Sequence, residues 1–227
     1  MTPVIEVRAL TKTYGQGETA VEALRAVSFT VASGEFVAIM GHSGSGKSTL
    51  MGLLGCLDEP TSGAYLLDGA DVGKLSENEL ALVRSRRIGF VFQSFNLVPR
   101  TSAVANVELP LVYQRVPQGE RRRRALTALA AVGLSDRAEH VPSALSGGQQ
   151  QRVAVARAIV TEPALLLADE PTGNLDSAAT AELLALFGRL NAQGRTIVLI
   201  THEDDVAAAA RRVVRLADGA VVEDRAA

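Results

Sequence analysis

The stretch Gly41-His42-Ser43-Gly44-Ser45-Gly46-Lys47-Ser48 decides the fold of this chain. The apolar run EFVAIM at residues 35–40 precedes this stretch and predicts a buried strand. A helix is predicted at residues 47–57, beginning with the last two residues of the stretch. The glycines at positions 44 and 46 permit backbone angles that other residues avoid, so main-chain amides can approach an anion closely. A glycine-rich loop between a strand and a helix, closed by Lys-Ser, is typical of a phosphate-binding loop.

The side chains at the end of this loop indicate a nucleoside triphosphate with a metal ion. Lys47 can reach the β- and γ-phosphates, and the hydroxyl of Ser48 suits Mg²⁺. The following helix directs its N-terminal dipole at the same anion. We therefore expect the phosphates to be bound by Gly41, His42, Ser43, Gly44, Ser45, Gly46, Lys47, Ser48 and Thr49.

Two carboxylates follow a second apolar run. Residues 165–170 (LLLADE) predict a buried strand that delivers Asp169 and Glu170 at its C-terminal end, where open parallel sheets bind ligands. We expect Asp169 to hold Mg²⁺ through its water shell, and Glu170 to orient or deprotonate the attacking water. The alternative is a strand that ends in two solvated acids, and the presence of a phosphate loop in the same chain makes this alternative the less favoured one.

Four further positions carry weaker signals on their own. His202 follows the apolar run IVLIT and either hydrogen-bonds the γ-phosphate or is an ordinary surface histidine. Gln93 ends another apolar run and is expected to complete the shell of Mg²⁺ and water. Tyr14 either stacks on adenine or packs as a surface tyrosine. Ser146-Gly147-Gly148 caps a helix that begins near Gln149, and it forms either an anion site or a plain cap.

Composition limits the class of protein. The chain has 227 residues, of which 47% are apolar and 21% charged, and its formal net charge is −2. This length allows one substantial core, and the charge gives no reason to expect nucleic-acid binding. Cys56 is the only cysteine, so we expect no internal disulfide. No apolar run reaches the roughly 18 residues of a membrane span, and residues 1–6 lack a secretory signal, so we expect a cytoplasmic location.

Apolar runs alternate with helical patterns along the chain, which predicts an α/β fold with a parallel sheet. We expect a core at about residues 1–93 and 151–227 and a mainly helical insert at about residues 94–150, within one domain. The basic run at residues 121–124 indicates a solvated helix start. Strands are expected at residues 4–10, 27–31, 35–40, 88–92, 164–168 and 196–200, helices at residues 47–57, 77–87, 101–113, 119–132, 148–160 and 177–190, and a terminal hairpin at residues 213–223.

Taken together, these motifs resemble the nucleotide-binding subunit of ABC transporters. The motifs occur along this chain in the same order as in that family: the phosphate loop, Gln93, Leu145-Ser146-Gly147-Gly148-Gln149, Asp169-Glu170, Asn174-Leu175-Asp176 and His202. The resemblance implies a P-loop NTPase core of the RecA type, an antiparallel N-terminal portion and a helical signature subdomain. It also implies a head-to-tail dimer of two ATPase subunits. Each ATP, with Mg²⁺, would lie between the Lys47 loop of one copy and the Ser146 signature of the other, and Asp176 would couple the two sites.

A narrower likeness points to one branch of that family. Residues 55–63, 88–97 and 168–176 resemble the ATPases of macrolide exporters, lipoprotein-release complexes and antimicrobial-peptide exporters. This likeness implies a permease with few spans, contacted through residues 95–100, from Phe95 to Arg100, at the cytoplasmic side of the membrane. The ATPase of an amino-acid importer is the alternative, and a soluble ABC ATPase without a permease is a weaker one.

Overall fold

The computed structural model describes residues 3–226, so Met1, Thr2 and Ala227 lie outside the described residues. Ten strands and seven helices make up the regular structure of the described part. The strands are β1 (Ile5–Tyr14), β2 (Val21–Val31), β3 (Phe36–Met40), β4 (Ser62–Leu67), β5 (Ala70–Asp71), β6 (Ile88–Phe92), β7 (Leu165–Asp169), β8 (Thr196–Thr201), β9 (Arg212–Ala217) and β10 (Ala220–Ala226). The helices are α1 (Lys47–Leu54), α2 (Glu77–Arg87), α3 (Ala103–Tyr113), α4 (Gln118–Ala131), α5 (Gly147–Ile159), α6 (Ser177–Ala192) and α7 (Asp204–Ala207).

A six-stranded sheet in the order β10-β9-β3-β8-β7-β6 forms the centre of the molecule. All neighbours pair in parallel except β9 and β10, which form the predicted terminal hairpin. Alternate residues of β3 enter different apolar clusters, with Ala38 on one face and Val37 on the other. Burial on both faces explains why the central strands are continuous apolar runs in the sequence.

The register of this sheet brings the carboxyl ends of four strands to one level. Met40 of β3 pairs with Thr201 of β8, and Asp169 of β7 lies opposite Phe92 of β6 on one side and Ile200 of β8 on the other. The loops that follow these strands therefore start at the same edge of the sheet. Those loops contain the phosphate-binding residues, Gln93, Glu170 and His202.

A separate four-stranded antiparallel sheet, β2-β1-β4-β5, covers one side of the molecule. Its apolar face packs with α1 and with one face of the central sheet. Strands β4 and β5 were not predicted from the sequence, because residues 62–71 contain two glycines and alternate weakly between buried and exposed positions. Strand β2 was predicted too short. The antiparallel N-terminal portion that the resemblance implied is nevertheless present.

Helices α3, α4 and α5 pack on one another in the middle of the chain. Helix α5 also packs against β6 and α6, so the helical portion and the other face of the central sheet share one apolar cluster. The expected helix at residues 47–57 was too long, since α1 ends at Leu54 and the chain turns away at Cys56 with φ +54°. Within residues 3–226, no helix combines the length and the apolar character needed to cross a membrane.

Candidate nucleotide site

A cleft of about 1050 Å³ opens at the carboxyl edge of the central sheet. Parallel sheets of this kind bind their ligands at that edge. The antiparallel sheet supplies the opposite wall through Glu22 and Arg25, and the β9–β10 turn adds Asp218. The predicted residues that line the cleft are His42, Ser43, Gly44, Gly46, Lys47, Ser48, Thr49, Gln93, Asp169, Glu170 and His202.

The phosphate loop has the backbone that its glycines were expected to allow. Gly44 and Gly46 have φ angles of +80° and +100°. A Cβ atom at Gly46 would lie 2.6 Å from the carbonyl oxygen of Ala23, so a larger residue would push the loop off the antiparallel sheet. Gly46 also precedes α1, whose first amides face the loop without side-chain caps. The loop therefore presents free amides and a helix dipole, which suits an anion.

Lys47 is almost fully buried, with 8% of its surface exposed. Its ammonium group donates hydrogen bonds to the carbonyl oxygens of Gly41 (2.7 Å) and His42 (2.9 Å). Neutral carbonyls compensate a buried cation only partly, so this charge favours an anionic ligand in the loop. The site thus fits the phosphates of a nucleotide.

Asp169 and Glu170 stand side by side at the end of β7. Burial raises the pKa of the Asp169 carboxyl, and the neighbouring charge of Glu170 raises it further, whereas Lys47 lowers it. A divalent cation would remove much of this penalty, because it stabilises the ionised carboxylate. No group of three His, Cys, Asp or Glu side chains suited to a metal occurs within residues 3–226. This donor set fits Mg²⁺ that is held largely by phosphate oxygens and water, with Ser48, Gln93 and Asp169 as the protein side.

Glu170 adopts an unusual backbone conformation. Its φ angle is +42°, and its amide donates a hydrogen bond to the carbonyl oxygen of Ile200 on β8 (2.9 Å). A left-handed conformation costs a non-glycine residue about 1–2 kcal/mol. Such strain is typical of residues whose side chain must be aimed at a site.

His202 contacts Glu170 directly. Its Nδ1 atom lies 2.9 Å from Glu170 Oε1. From the sequence, His202 was expected either to hydrogen-bond the γ-phosphate or to be an ordinary surface histidine, and its pairing with the carboxylate was not foreseen. The register of β7 and β8 explains it, because Asp169 lies opposite Ile200 and the next residues leave the sheet together. A sequence-based pairing of these two strands would have found the contact.

Gln93 is held through both its backbone and its side chain. Its carbonyl oxygen accepts a hydrogen bond from Asn174 Nδ2 (3.0 Å). Its side chain lies on the bare backbone of Gly173, where a Cβ atom would approach Gln93 Nε2 to 2.5 Å. The loop after Glu170 therefore determines where Gln93 stands.

Tyr14 lies outside the residues that line the cleft, and 43% of its surface is exposed. Its hydroxyl donates to Asp58 Oδ2 (2.8 Å), and the Lys12 ammonium lies 4.9 Å from the ring centroid and 2.6 Å from Asp58 Oδ1. Partial burial, followed by the bond to Asp58, raises the pKa of the Tyr14 phenol. The sequence analysis gave no role to Asp58, which fixes the ring in an exposed position. The predicted stacking on adenine stays a prediction.

The signature residues are placed away from the cleft. Ser146 caps α5 by accepting a hydrogen bond from the Gln149 amide, and Gln149 Oε1 accepts one from the Ser146 amide (3.0 Å), which completes a capping box. Asp176 caps α6 in the same manner through Ala179 (2.7 Å). The structure thus leaves Ser146, Gly147, Gly148, Gln149 and Asp176 outside the set that lines the cleft of the same chain.

Comparison with known proteins now defines the class. A family model described as "ABC transporter" matches residues 24–173. The chain belongs to the ABC transporter family, as an ATP-binding cassette that hydrolyses ATP with Mg²⁺ as cofactor. The predicted fold and family are therefore confirmed.

Particular relatives narrow the comparison. The chain is 53% identical to the macrolide export ATP-binding/permease protein of Hyphomonas neptunium over 98% of its own length but only 34% of that relative. It therefore spans about a third of such relatives. It is also 52% identical to an uncharacterized ABC transporter ATP-binding protein of Thermotoga maritima, covering 97% of this chain and 94% of that one. Among solved structures, the dimeric bacterial ABC transporter cassette MJ0796 superimposes with a TM-score of 0.88 at 45% identity, covering 98% of each chain.

Proposed function

We propose that two copies of this chain close head-to-tail around two ATP molecules and thereby drive an exporter-like or mechanotransmitting permease. One observation supports this proposal above all: the signature residues at the start of α5 do not line the cleft of the same chain. The capped start of α5 is the expected second anion site. A second copy can supply it, as in a dimeric cassette of the kind represented by MJ0796.

Within one composite site, the residues of the cleft divide the work. The loop amides and Lys47 bind and orient the triphosphate, and Mg²⁺ at Ser48, Gln93 and Asp169 would neutralise charge on its oxygens. Glu170 accepts the proton of the attacking water or orients that water. His202 holds the Glu170 carboxylate through Nδ1, which fixes the direction from which Glu170 acts. Ser146 of the partner subunit closes the site, and Asp176, at the end of the loop that follows Glu170, couples the two sites.

A groove of about 450 Å³ supports a docking site for the permease. It lies between α2, α3 and α5 and is largely apolar, with Phe90, Phe92, Pro110 and Tyr113 in its lining. Tyr113 is 80% exposed, so the groove continues into an apolar surface, which is typical of a protein interaction site. A short cytoplasmic segment of the membrane protein, apolar on one face, fits this groove.

The segment at residues 95–100 borders the groove and is firmly held. Arg157 donates to the carbonyl oxygens of Phe95 (2.8 Å) and Asn96 (2.5 Å). The buried Asn106 side chain binds both the amide and the carbonyl of Val98 (2.7 and 3.2 Å). A segment pinned in this way can transmit a displacement to Gln93, two residues before Phe95. This arrangement supports contact with the permease through residues 95–100 and a peripheral location at the cytoplasmic side of the membrane.

Co-purification tests the proposed partner. The tagged Glu170→Gln chain is isolated with ATP from detergent-solubilised native membranes, and the accompanying proteins are identified. We expect a permease with few spans and a large extracytoplasmic domain, and its loss when Tyr113→Asp is added. Leu126→Asp, at an exposed apolar position of α4, is the matched control and should retain the permease.

Two results would overturn this assignment. Recovery of a many-span permease with a solute-binding protein would make the chain an importer ATPase. Recovery of ATPase dimers without any membrane protein would place it among soluble ABC ATPases.

A further inference from the structure

Gln151 is a fully buried polar residue near the start of α5, and it belongs to none of the motifs described above. Its side chain is 0% exposed. Its Nε2 atom donates to the carbonyl oxygen of Pro171 (2.7 Å) and to that of Phe92 (3.2 Å). Phe92 immediately precedes Gln93, and Pro171 immediately follows Glu170. One amide group therefore joins the two segments that carry the proposed metal-shell residue and the proposed base.

The Gln151 amide lies at the level where β6 and β7 stop pairing. Phe92 and Asp169 are the last paired residues of β6 and β7, so the two strands separate from this level onward. Beyond that level the sheet ladder no longer fixes the distance between the loops, and Gln151 bridges them from α5, in addition to the bond from Asn174 to Gln93. The third element it joins is α5, whose first turn is capped by Ser146.

The surroundings of Gln151 carry an energetic cost. Its Oε1 atom is buried and finds no hydrogen-bond partner among residues 3–226, and the same is true of Thr172 Oγ1, next to Pro171. A buried polar atom that makes no hydrogen bond destabilises the folded chain. A methionine or leucine at this position would avoid the cost, so stability alone does not account for the glutamine.

We propose that Gln151 is a positioning residue for ATP hydrolysis. Its two hydrogen bonds set the separation of Gln93 and Glu170 and connect both segments to α5. When the partner's nucleotide displaces the Ser146 signature at the start of α5, the displacement reaches Gln93 and Glu170 of the same chain. This inference rests on the proposed roles of Gln93 and Glu170. Gln151 itself contacts neither the nucleotide cleft nor its ligand.

Asn191 offers a matched control for the variant. Asn191 is also buried, at 6% exposure, and its Nδ2 atom also donates to two backbone carbonyl oxygens, those of Gly34 and Arg195 (2.9 Å each). It lies at the end of α6, outside the residues that line the cleft. Gln151→Met and Asn191→Leu therefore remove the same kind of interaction with nearly the same change in volume.

Steady-state ATPase kinetics of the two variants provide the first test. We expect Gln151→Met to lower kcat at least about tenfold while KM for ATP stays within about threefold, because binding groups are intact and only the hydrolytic geometry is relaxed. Asn191→Leu should keep wild-type kcat even if its melting temperature falls equally. Equal kcat for Gln151→Met and Asn191→Leu would overturn the proposal. Wild-type turnover by Glu170→Gln would instead show that the proposed function fails.

The pH profile of Gln151→Glu provides the second test. A protonated carboxyl can donate to one of the two carbonyls, whereas an ionised one repels both, and burial without a cation favours the protonated form. We expect kcat of this variant, divided by the wild-type value, to fall as pH rises. The corresponding ratio for Gln151→Met should not change with pH. A ratio for Gln151→Glu that is independent of pH would contradict the positioning role.

Discussion

At the scale of single residues, Glu170 concentrates several features of the site. Its backbone is strained, its carboxylate is paired with His202 at 2.9 Å, and burial raises the pKa of the neighbouring Asp169 carboxyl. The backbone strain and the burial of Asp169 are unfavourable, whereas the contact with His202 orients the Glu170 carboxylate. A divalent cation in the cleft would stabilise the ionised form of Asp169.

Glu170→Gln should lower kcat for ATP by a factor of about 10²–10⁴, the usual contribution of a general base. His202→Ala should lower kcat less, and the double variant should be no slower than Glu170→Gln, because His202 acts through Glu170. ATP affinity should change little, since Lys47 and the loop are intact. Steady-state kinetics with equilibrium nucleotide binding measure both quantities.

His140→Ala is the control for this series, because His140 lies outside the residues that line the cleft. It should behave as wild type. A double variant slower than Glu170→Gln by the full His202 factor would show that the two residues act independently.

At the scale of elements, the strands that form the carboxyl edge of the central sheet could be predicted from the sequence, whereas β4 and β5 of the antiparallel sheet could not. The strands before Gly41, Gln93, Glu170 and His202 are buried on both faces, so their apolar runs are unambiguous in the sequence. Strand β4 escaped detection because it pairs with β1, which is distant in sequence, and β5 escaped because it is two residues long and pairs only with β4. The contacts of Gln151, Asp58 and His202 were missed for the same reason, since each joins residues at least twenty positions apart.

The terminal hairpin is attached to the core through Arg212 at the start of β9. Its guanidinium donates two hydrogen bonds to Asp224 on β10 (2.6 and 2.7 Å) and one to Glu35 before β3 (2.9 Å). The bond from Arg212 lowers the pKa of the Asp224 carboxyl. This group therefore stabilises the fold above its unfolded pKa of about 3.9, and the contribution is lost as pH falls through the lower folded value.

Arg212→Met should lower the free energy of unfolding by about 1–3 kcal/mol at pH 7, from loss of charged hydrogen bonds. The deficit should shrink as pH falls toward the pKa of Asp224. Arg211→Met, at the exposed neighbouring position, should be nearly neutral. Urea unfolding at several pH values measures these differences, and a deficit that stays constant with pH would refute the role given to the Arg212–Asp224 pair.

At the scale of the whole molecule, the proposed dimer makes the chain half of each of two sites. The cleft holds the phosphate-binding loop and the proposed base, while we propose that the capped start of α5 completes the cleft of another copy. The apolar cluster shared by the helical portion and the central sheet links these two surfaces within one chain. Closure around ATP can therefore be passed both to the partner copy and to the groove beside residues 95–100.

Complementation between two defective chains tests the composite site most directly. Lys47→Ala removes the cation of the phosphate loop. Ser146→Asp keeps a side chain that caps α5 but places a negative charge against the partner's nucleotide. Each variant alone should be inactive, because both of its sites are damaged. A mixed dimer has one site with both defects and one site with neither.

The measurement is the ATPase activity of an equimolar mixture of the two variants after exchange of subunits. If half of the dimers are mixed and each has one intact site, activity should reach about a quarter of the wild-type value. A mixture no more active than Lys47→Ala or Ser146→Asp alone would contradict the shared site.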